Sequence, residues 1–267
     1  MITDWDDAYA NREHIPGAEG YIPRWTAAAA AVRAGAEARL DIPYGPRPRM
    51  VYDLFAPVET PTSLVVFVHG GYWRAFDKST WSHLARGALA RGAAVAMPSY
   101  TLAPQISIAG IAAEVAMAVE AAAAEVPGAI RLAGHSAGGH LVTRLLAEGG
   151  GLSHETRGRI ARTVSISGVH DLRPLLRTQM NAEFGLDRVS AAAESPALLS
   201  PQQGDRVVAW VGGDERPEFI RQTRLLANIW TGLGAEISDV IEAGKHHFDV
   251  IDGLEDPESA LTAALFG

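Results

Sequence analysis

The chain alternates between short apolar runs and longer segments in which apolar residues recur at helical spacing. Residues 64–68, 93–98 and 207–211 are almost continuous apolar runs. Runs of this kind, without polar alternation, are typical of strands that are covered on both faces. Residues 108–125 and 218–233 follow two of these runs and have the pattern of helices. Because strands and helices alternate at least five times along the chain, the pattern predicts an α/β fold with a mostly parallel sheet and helices on both faces.

Two segments depart from this alternation. Residues 1–38 carry four aromatic residues and a predicted helix over 26–38, and residues from about 170 to 204 form an irregular, partly helical insertion. No low-complexity linker or break in composition separates either segment from the rest of the chain. We therefore interpret residues 1–267 as one domain with an N-terminal arm and a small cap. The arm is either a structural element packed on the body or the roof of a pocket.

Composition and charge restrict the partners. A content of 48% hydrophobic and 20% charged residues is typical of a globular protein with a sizeable core. The net charge of -8 argues against nucleic acid or an anionic membrane surface as a partner. The absence of cysteine excludes disulfides, thiolate metal sites and a cysteine nucleophile. The acidic start lacks the features of a secretory signal, so we expect a cytoplasmic protein. The sequence carries no signal for an oligomeric state.

A glycine-flanked serine lies between a short predicted strand and a predicted helix. The motif is Gly134-His135-Ser136-Ala137-Gly138, which has the G-x-S-x-G spacing of a nucleophile elbow. A serine at the top of such a sharp turn has a strained backbone, and glycine two places before and after it avoids collision between strand and helix. The N-terminus of the helix is directed at the serine, where its N–H groups favour a developing anion.

Reactive residue types follow four of the predicted strands. In chain order they are His69-Gly70-Gly71, then Ser136, then Asp214 or Glu215, and then His247. Function in open α/β sheets gathers at the carboxyl ends of the strands. A serine hydroxyl needs a base to become nucleophilic, and the base needs a carboxylate to fix its tautomer. The order serine, acid, histidine is that of an α/β-hydrolase triad.

These motifs resemble the α/β-hydrolase family and, within it, the kynurenine formamidase (arylformamidase) branch. The resemblance extends over nearly the whole chain. It is carried by the oxyanion loop His69–Arg74, the elbow Gly134–Leu141, the Pro-Glu-Phe block over 217–222, His247-Phe248-Asp249, and the early Tyr44-Gly45 and Asp53-Leu54-Phe55. The elbow indicates only the superfamily. The Gly-Gly-Tyr-Trp loop together with the Pro-Glu-Phe block indicates the branch.

The resemblance implies roles for individual residues. Ser136 matches the nucleophile and His247 the general base. The backbone N–H of Ala137, with those of Gly71 and Tyr72, matches the oxyanion hole. The resemblance also implies an acyl-enzyme mechanism, and neither a cofactor nor a metal.

The acid is open between two neighbours. Family members tend to place it four residues before the phenylalanine of the Pro-Glu-Phe block, and that position is Glu215. A Gly-x-x-acid count from Gly212 reaches the same residue. Asp is nevertheless the commoner acid in this superfamily, and Asp214 is adjacent. We therefore predict Glu215 as the triad acid and Asp214 as the second choice.

The substrate follows from the branch. The implied reaction is hydrolysis of a formamide on an aromatic amine, such as N-formylkynurenine. A carboxylesterase acting on small acyl esters is the alternative, and a non-catalytic binding protein on the same fold is a third. Tyr72 and Trp73 beside the oxyanion loop are candidate substrate contacts, although both residues would equally suit the core.

Overall fold

The computed structural model of the chain describes residues 2–35 and 37–267, so Met1 and Ala36 of the predicted arm lie outside the described residues. Within these ranges the protein consists of one central sheet, flanking α-helices and short 3-10 turns. The strands are β1 (Ala38–Pro43), β2 (Val51–Phe55), β3 (Ser63–Val68), β4 (Ala93–Pro98), β5 (Ala129–His135), β6 (Ile160–Ile166), β7 (Arg206–Gly212) and β8 (Glu236–Glu242). The helices are α1 (Trp5–Tyr9), α2 (Tyr21–Gly35), α3 (Arg86–Ala90), α4 (Ile108–Glu125), α5 (Ala137–Leu146), α6 (His154–Gly158), α7 (Asn181–Phe184), α8 (Arg188–Ala193), α9 (Pro217–Gly232) and α10 (Ala260–Phe266).

The sheet has eight strands in the order β1-β2-β4-β3-β5-β6-β7-β8. The pairs β1–β2 and β2–β4 are antiparallel, and the other neighbouring strands are parallel. The predicted mostly parallel α/β fold is confirmed. Because β3 and β5 to β7 run in the same direction, their carboxyl ends meet at one edge of the sheet, where the loops after them converge.

Helices cover both faces of the sheet. Side chains alternate along β3, so that Leu64 and Val66 belong to one apolar cluster and Val65 and Phe67 to another. The first cluster contains buried residues of α4, α5 and α9, and the second contains buried residues of α2, α3 and α10. The continuous apolar pattern of the central strands therefore reflects burial on both faces. No helix in the described part of the chain is long and apolar enough to cross a membrane.

The pattern of residues 79–91 predicts a helix after β3, and the structure differs from this prediction. The segment forms two 3-10 turns, Lys78–Thr80 and Ser82–Ala85, before the short helix α3. Trp81 lies between the turns and is buried against Trp25 of α2, with the two ring centroids 4.8 Å apart. Tertiary packing of this ring overrides the local helical preference.

The N-terminal residues run across the carboxyl edge of the sheet. Helix α1 contacts α9, and two 3-10 turns, Arg12–His14 and Ala18–Gly20, lead into α2. Helix α2 begins at Tyr21, earlier than the predicted start at residue 26. The insertion between β6 and β7 consists of α7, α8 and two 3-10 turns, Arg173–Arg177 and Pro196–Leu198.

Candidate active site

Ser136 occupies the sharp turn between β5 and α5. Its backbone has φ 55° and ψ -116°, a conformation that is unfavourable for a residue with a Cβ. Its N–H donates to the carbonyl of Ile166, 2.8 Å away, which helps to hold the turn. A Cβ on Gly134 would overlap the carbonyl of Gly138, and one on Gly138 would overlap the carbonyl of Val68. The two glycines of the motif are therefore required by the close approach of strand and helix.

His247 and Glu215 form a buried pair at the ends of β8 and β7. His247 Nδ1 lies 2.6 Å from Glu215 Oε2. The other carboxylate oxygen, Oε1, accepts hydrogen bonds from the Ser167 hydroxyl at 2.5 Å and from the Gly212 N–H at 2.9 Å. With its carboxylate held on both oxygens, Glu215 orients the imidazole and fixes its tautomer. Asp214 is exposed, and among residues 2–35 and 37–267 its one hydrogen bond is from its backbone N–H to the carbonyl of Lys245.

Phe219 supports the same histidine from the side of α9. Its ring is fully buried, and the ring centroids of Phe219 and His247 are 4.6 Å apart. The Pro-Glu-Phe block therefore contributes to the site through packing on His247. Its glutamate, Glu218, instead binds the N-terminal segment through Tyr9.

The loop after β3 lies against the serine. A Cβ on Gly70 would lie 3.0 Å from the Cβ of Ser136. Gly71, Tyr72 and Trp73 all have positive φ, of 108°, 48° and 56°, and the turn is closed by hydrogen bonds to the Gly71 carbonyl. Within the part of the chain that the structure describes, the N–H groups of Gly71 and Tyr72 have no protein acceptor. Ala137 opens α5, where N–H groups have no intrahelical partner.

His69 stabilises the start of this loop. Its Nδ1 lies 2.7 Å from the carbonyl of Gly70, and its ring stacks on Tyr100 at a centroid distance of 4.4 Å. Burial lowers the pKa of His69 to about 4, so the ring is neutral. Because a carbonyl oxygen can only accept, Nδ1 carries the proton and donates it to Gly70.

A cavity of about 520 Å³ opens above Ser136 and His247. Its wall is mainly aromatic and its roof is the N-terminal segment between Asp6 and Glu13. The aromatic residues that line it are Tyr9, Trp25, Tyr72, Phe76, Trp81 and Phe248. The site is thus a mostly apolar pocket with the serine and histidine at its base, the usual character of a small-molecule site.

Of the two predicted aromatic contacts, only Tyr72 lines this cavity. Trp73 is fully buried, its Nε1–H donates to His140 Nδ1 at 3.2 Å, and its ring packs edge-to-face on His140 and Phe184. The prediction of Trp73 as a substrate contact is therefore corrected: it is a core residue. The physical reason is the loop backbone, whose successive left-handed residues turn neighbouring side chains in different directions.

Sequence reasoning missed most of the aromatic wall. Trp81 and Phe76 follow the oxyanion loop, with ring centroids 5.6 Å apart, and Phe248 packs on Trp25 at 5.4 Å. These residues come from three separate parts of the chain, and no local motif connects them. The density of aromatic residues in the arm was the one available signal, and it indicated a roof only as one of two alternatives.

His135 also lines the cavity. Its Nε2 lies 2.9 Å from the carbonyl of His247, and the two rings are 4.6 Å apart. Burial, with the neighbouring His247 adding to it, holds the pKa of His135 well below its usual range. The neutral ring therefore donates its Nε2–H to the His247 carbonyl and anchors the loop that carries this histidine.

The sheet and the serine turn together define the class of α/β hydrolases. Residues 65–207 match the family model described as the alpha/beta hydrolase fold. The chain belongs to the α/β-hydrolase family, and the protein is a hydrolase of that superfamily.

Individual relatives extend the similarity over the whole chain. The chain is 28% identical to the kynurenine formamidase of Salmo salar and 27% identical to that of Danio rerio, with 87% of this chain and 82% of each relative covered. It is 50% identical to a solved protein from a Silicibacter species that carries a provisional thioesterase assignment. That similarity covers 100% of both chains with a TM-score of 0.95. The predicted resemblance to the formamidase and esterase branch of the superfamily is confirmed.

Proposed function

We propose that the protein is a serine hydrolase that removes a formyl group from an aryl amide of the N-formylkynurenine type. The observation that carries the proposal is the aromatic cavity of about 520 Å³ with Ser136 and His247 at its base. The proposal is also supported by the kynurenine formamidases of Salmo salar and Danio rerio, which match over most of their length.

In this mechanism Ser136 Oγ attacks the formyl carbon while His247 accepts the hydroxyl proton. Glu215 stabilises the imidazolium that forms. The tetrahedral intermediate collapses by breaking the C–N bond, and His247 gives the proton to the departing aryl amine. A water molecule then attacks the formyl-serine ester with His247 as base, which releases formate and restores the serine.

The oxyanion is assigned to three backbone N–H groups. Those of Gly71 and Tyr72 lack a protein acceptor among the described residues, and that of Ala137 opens α5. Donors that are fixed before the reaction stabilise the developing charge without reorganisation. The strained loop around Gly71 supports this assignment, because backbone strain gathers at functional sites.

The leaving group is assigned to the aromatic wall. Trp25 and Trp81 are almost fully buried, and their ring centroids are 4.8 Å apart. Phe76 and Phe248 complete a surface suited to an aryl ring, where a favourable ring pair contributes about 0.5–1.5 kcal/mol beyond burial. A formyl group is the smallest acyl group and needs little of the remaining space.

A carboxylesterase acting on small acyl esters is the second candidate. It is favoured by the 50% identical Silicibacter protein with its provisional thioesterase assignment. Ester, thioester and amide hydrolysis use the same nucleophile, base and oxyanion donors, and they differ in the groups that the cavity accepts. Acyl length and leaving group therefore separate the candidates.

The test is a panel of formyl, acetyl and butyryl amides of one aryl amine, together with an alkyl formamide and p-nitrophenyl esters. We expect kcat/KM to fall from formyl to butyryl, by about 10–200-fold for each methylene that the acyl site rejects. N-formylkynurenine should be hydrolysed better than the alkyl formamide. A flat or rising profile with p-nitrophenyl butyrate preferred would support the esterase instead. Failure of a fluorophosphonate probe to label Ser136 would favour a non-catalytic binding protein.

A further inference from the structure

The N-terminal segment is held over the cavity by contacts with the body of the protein. The buried Tyr9 hydroxyl donates to Glu218 Oε1 at 2.9 Å, and its ring packs edge-to-face on Phe219. The Tyr72 hydroxyl in turn donates to the carbonyl of Tyr9 at 2.6 Å. Because Tyr9 is anchored on both sides, the turn Arg12–His14 that follows it is held at the rim.

Some charged residues at the rim of the cavity already form ion pairs or hydrogen bonds with other protein groups, and others do not. The charged residues that line the cavity are Asp6, Asp7, Arg12, Glu13 and Arg74. Asp6 accepts a hydrogen bond from the backbone N–H of Gln179 at 2.8 Å. Asp7 forms an ion pair with Arg216, and its Oδ1 lies 2.8 Å from His14 Nε2. Arg74 is paired with Glu183.

Arg12 and Glu13 are the exception. Over residues 2–35 and 37–267, neither side chain has an ion pair or a hydrogen bond to another protein group. Both side chains are exposed and both line the cavity. The rim therefore offers one free guanidinium and one free carboxylate on adjacent residues, above a pocket that is otherwise largely aromatic.

An adjacent guanidinium and carboxylate are complementary to the zwitterionic end of an amino acid. An α-amino acid carries an ammonium and a carboxylate on the same carbon, so an adjacent cation and anion can satisfy both at once. A substrate with only one charge would meet a like charge beside its partner. A guanidinium is also suited to bidentate contact with a carboxylate.

We propose that Arg12 binds the α-carboxylate and Glu13 the α-ammonium of an aromatic amino-acid substrate. The two residues then determine specificity within the proposed function, on which this inference depends. Arg12 and Glu13 select aryl formamides that end in an amino acid over those that do not.

The first experiment compares two substrates that differ only in this group. N-formyl-L-kynurenine carries the zwitterion, and N-(2-acetylphenyl)formamide has the same aryl formamide without it. We expect Arg12→Gln and Glu13→Gln each to lower the ratio of kcat/KM for the first substrate over the second by about tenfold, mainly through KM. Arg12→Lys should retain part of the ratio. Glu19→Gln and Arg188→Gln, exposed positions away from the cavity, are the matched controls and should leave the ratio unchanged.

A second measurement does not depend on formamide turnover. L-kynurenine and 2-aminoacetophenone are compared as inhibitors of p-nitrophenyl acetate hydrolysis. We expect L-kynurenine to inhibit about tenfold more strongly in the wild type, and the difference to disappear in both Gln variants. Equal losses on both formamides, or equal inhibition in the wild type, would overturn the assignment of Arg12 and Glu13. Hydrolysis of the ester with no turnover of either formamide would overturn the proposed function instead, and the inhibition ratio would then decide the role of the pair.

Discussion

The base and the roof of the cavity are built in different ways. At the base, Ser136 and the loop around Gly71 have strained backbones, and nearby glycines allow strand, helix and loop to approach closely. In the roof, the segment from Asp6 to Glu13 adopts ordinary helical turns and depends on side-chain contacts with distant residues. Tyr9 and Glu218, for example, are 209 positions apart in the chain.

This difference determines which of the two regions can be recognised in the amino-acid sequence. A backbone that must be strained requires glycine at defined positions, and this requirement is visible as a short motif. A roof held by long-range contacts has no such motif, because the partners are adjacent only after folding. In the proposed function the residues at the base of the cavity perform the chemistry and those of the roof select the substrate. Substitutions at the base of the cavity should therefore change mainly kcat, and substitutions in the roof mainly KM.

The largest loss of activity is expected from a substitution at the base of the cavity. Ser136→Ala should lower kcat by about 10⁶-fold, because the nucleophile is removed while the oxyanion donors and the pocket stay. Thermal unfolding should be little changed, since the alanine keeps the Cβ. Steady-state kinetics on the preferred substrate checks the first expectation and calorimetry the second. A variant with a tenth of the wild-type activity would exclude the serine mechanism.

The second largest loss of activity is expected at Glu215 and not at the adjacent Asp214. Glu215→Gln should lower kcat by about 10⁴-fold, the scale observed when the carboxylate that fixes the histidine tautomer is lost. Asp214→Asn is the matched control, because Asp214 is exposed and the carboxylate bonded to His247 is that of Glu215. Its kcat should stay near that of the wild type. The reverse pattern would assign the acid to Asp214.

The smallest effect is expected in the roof. Tyr9→Phe removes a buried hydroxyl that donates to Glu218 and accepts from Gln222. Glu218 still accepts from Arg221 and Gln222, so the cost is that of one lost hydrogen bond to a carboxylate, about 1.5–3 kcal/mol. The roof should loosen, so that KM rises about tenfold while kcat changes little.

The matched control for the roof is Tyr21→Phe. The Tyr21 hydroxyl bonds to His246, and its ring is only partly buried, so KM should change less in this variant. A fall in kcat with unchanged KM in Tyr9→Phe would show that the roof acts on the chemistry, through the hydrogen bond between Tyr72 and Tyr9, and would remove the distinction between the two regions.

The sequence by itself determined the fold class and the positions where reactive residues would gather. Apolar runs of strand length specify strands buried on both faces, because burial leaves no place for polar alternation. The G-x-S-x-G motif specifies a serine on a strained turn, because only glycine tolerates the contacts around it. The order of serine, acid and histidine followed from the strand ends alone.

Tertiary structure decided the choices between neighbours. Glu215 and Asp214 are adjacent in the chain, yet one carboxylate is buried against His247 and the other is exposed. Tyr72 and Trp73 are adjacent as well, yet one lines the cavity and the other belongs to the core. The direction of each side chain depends on the local φ and ψ and on packing against distant elements. Residue type alone encodes neither of these. The sequence ranked Glu215 above Asp214 only through its spacing to Gly212 and Phe219, and it could not separate Tyr72 from Trp73.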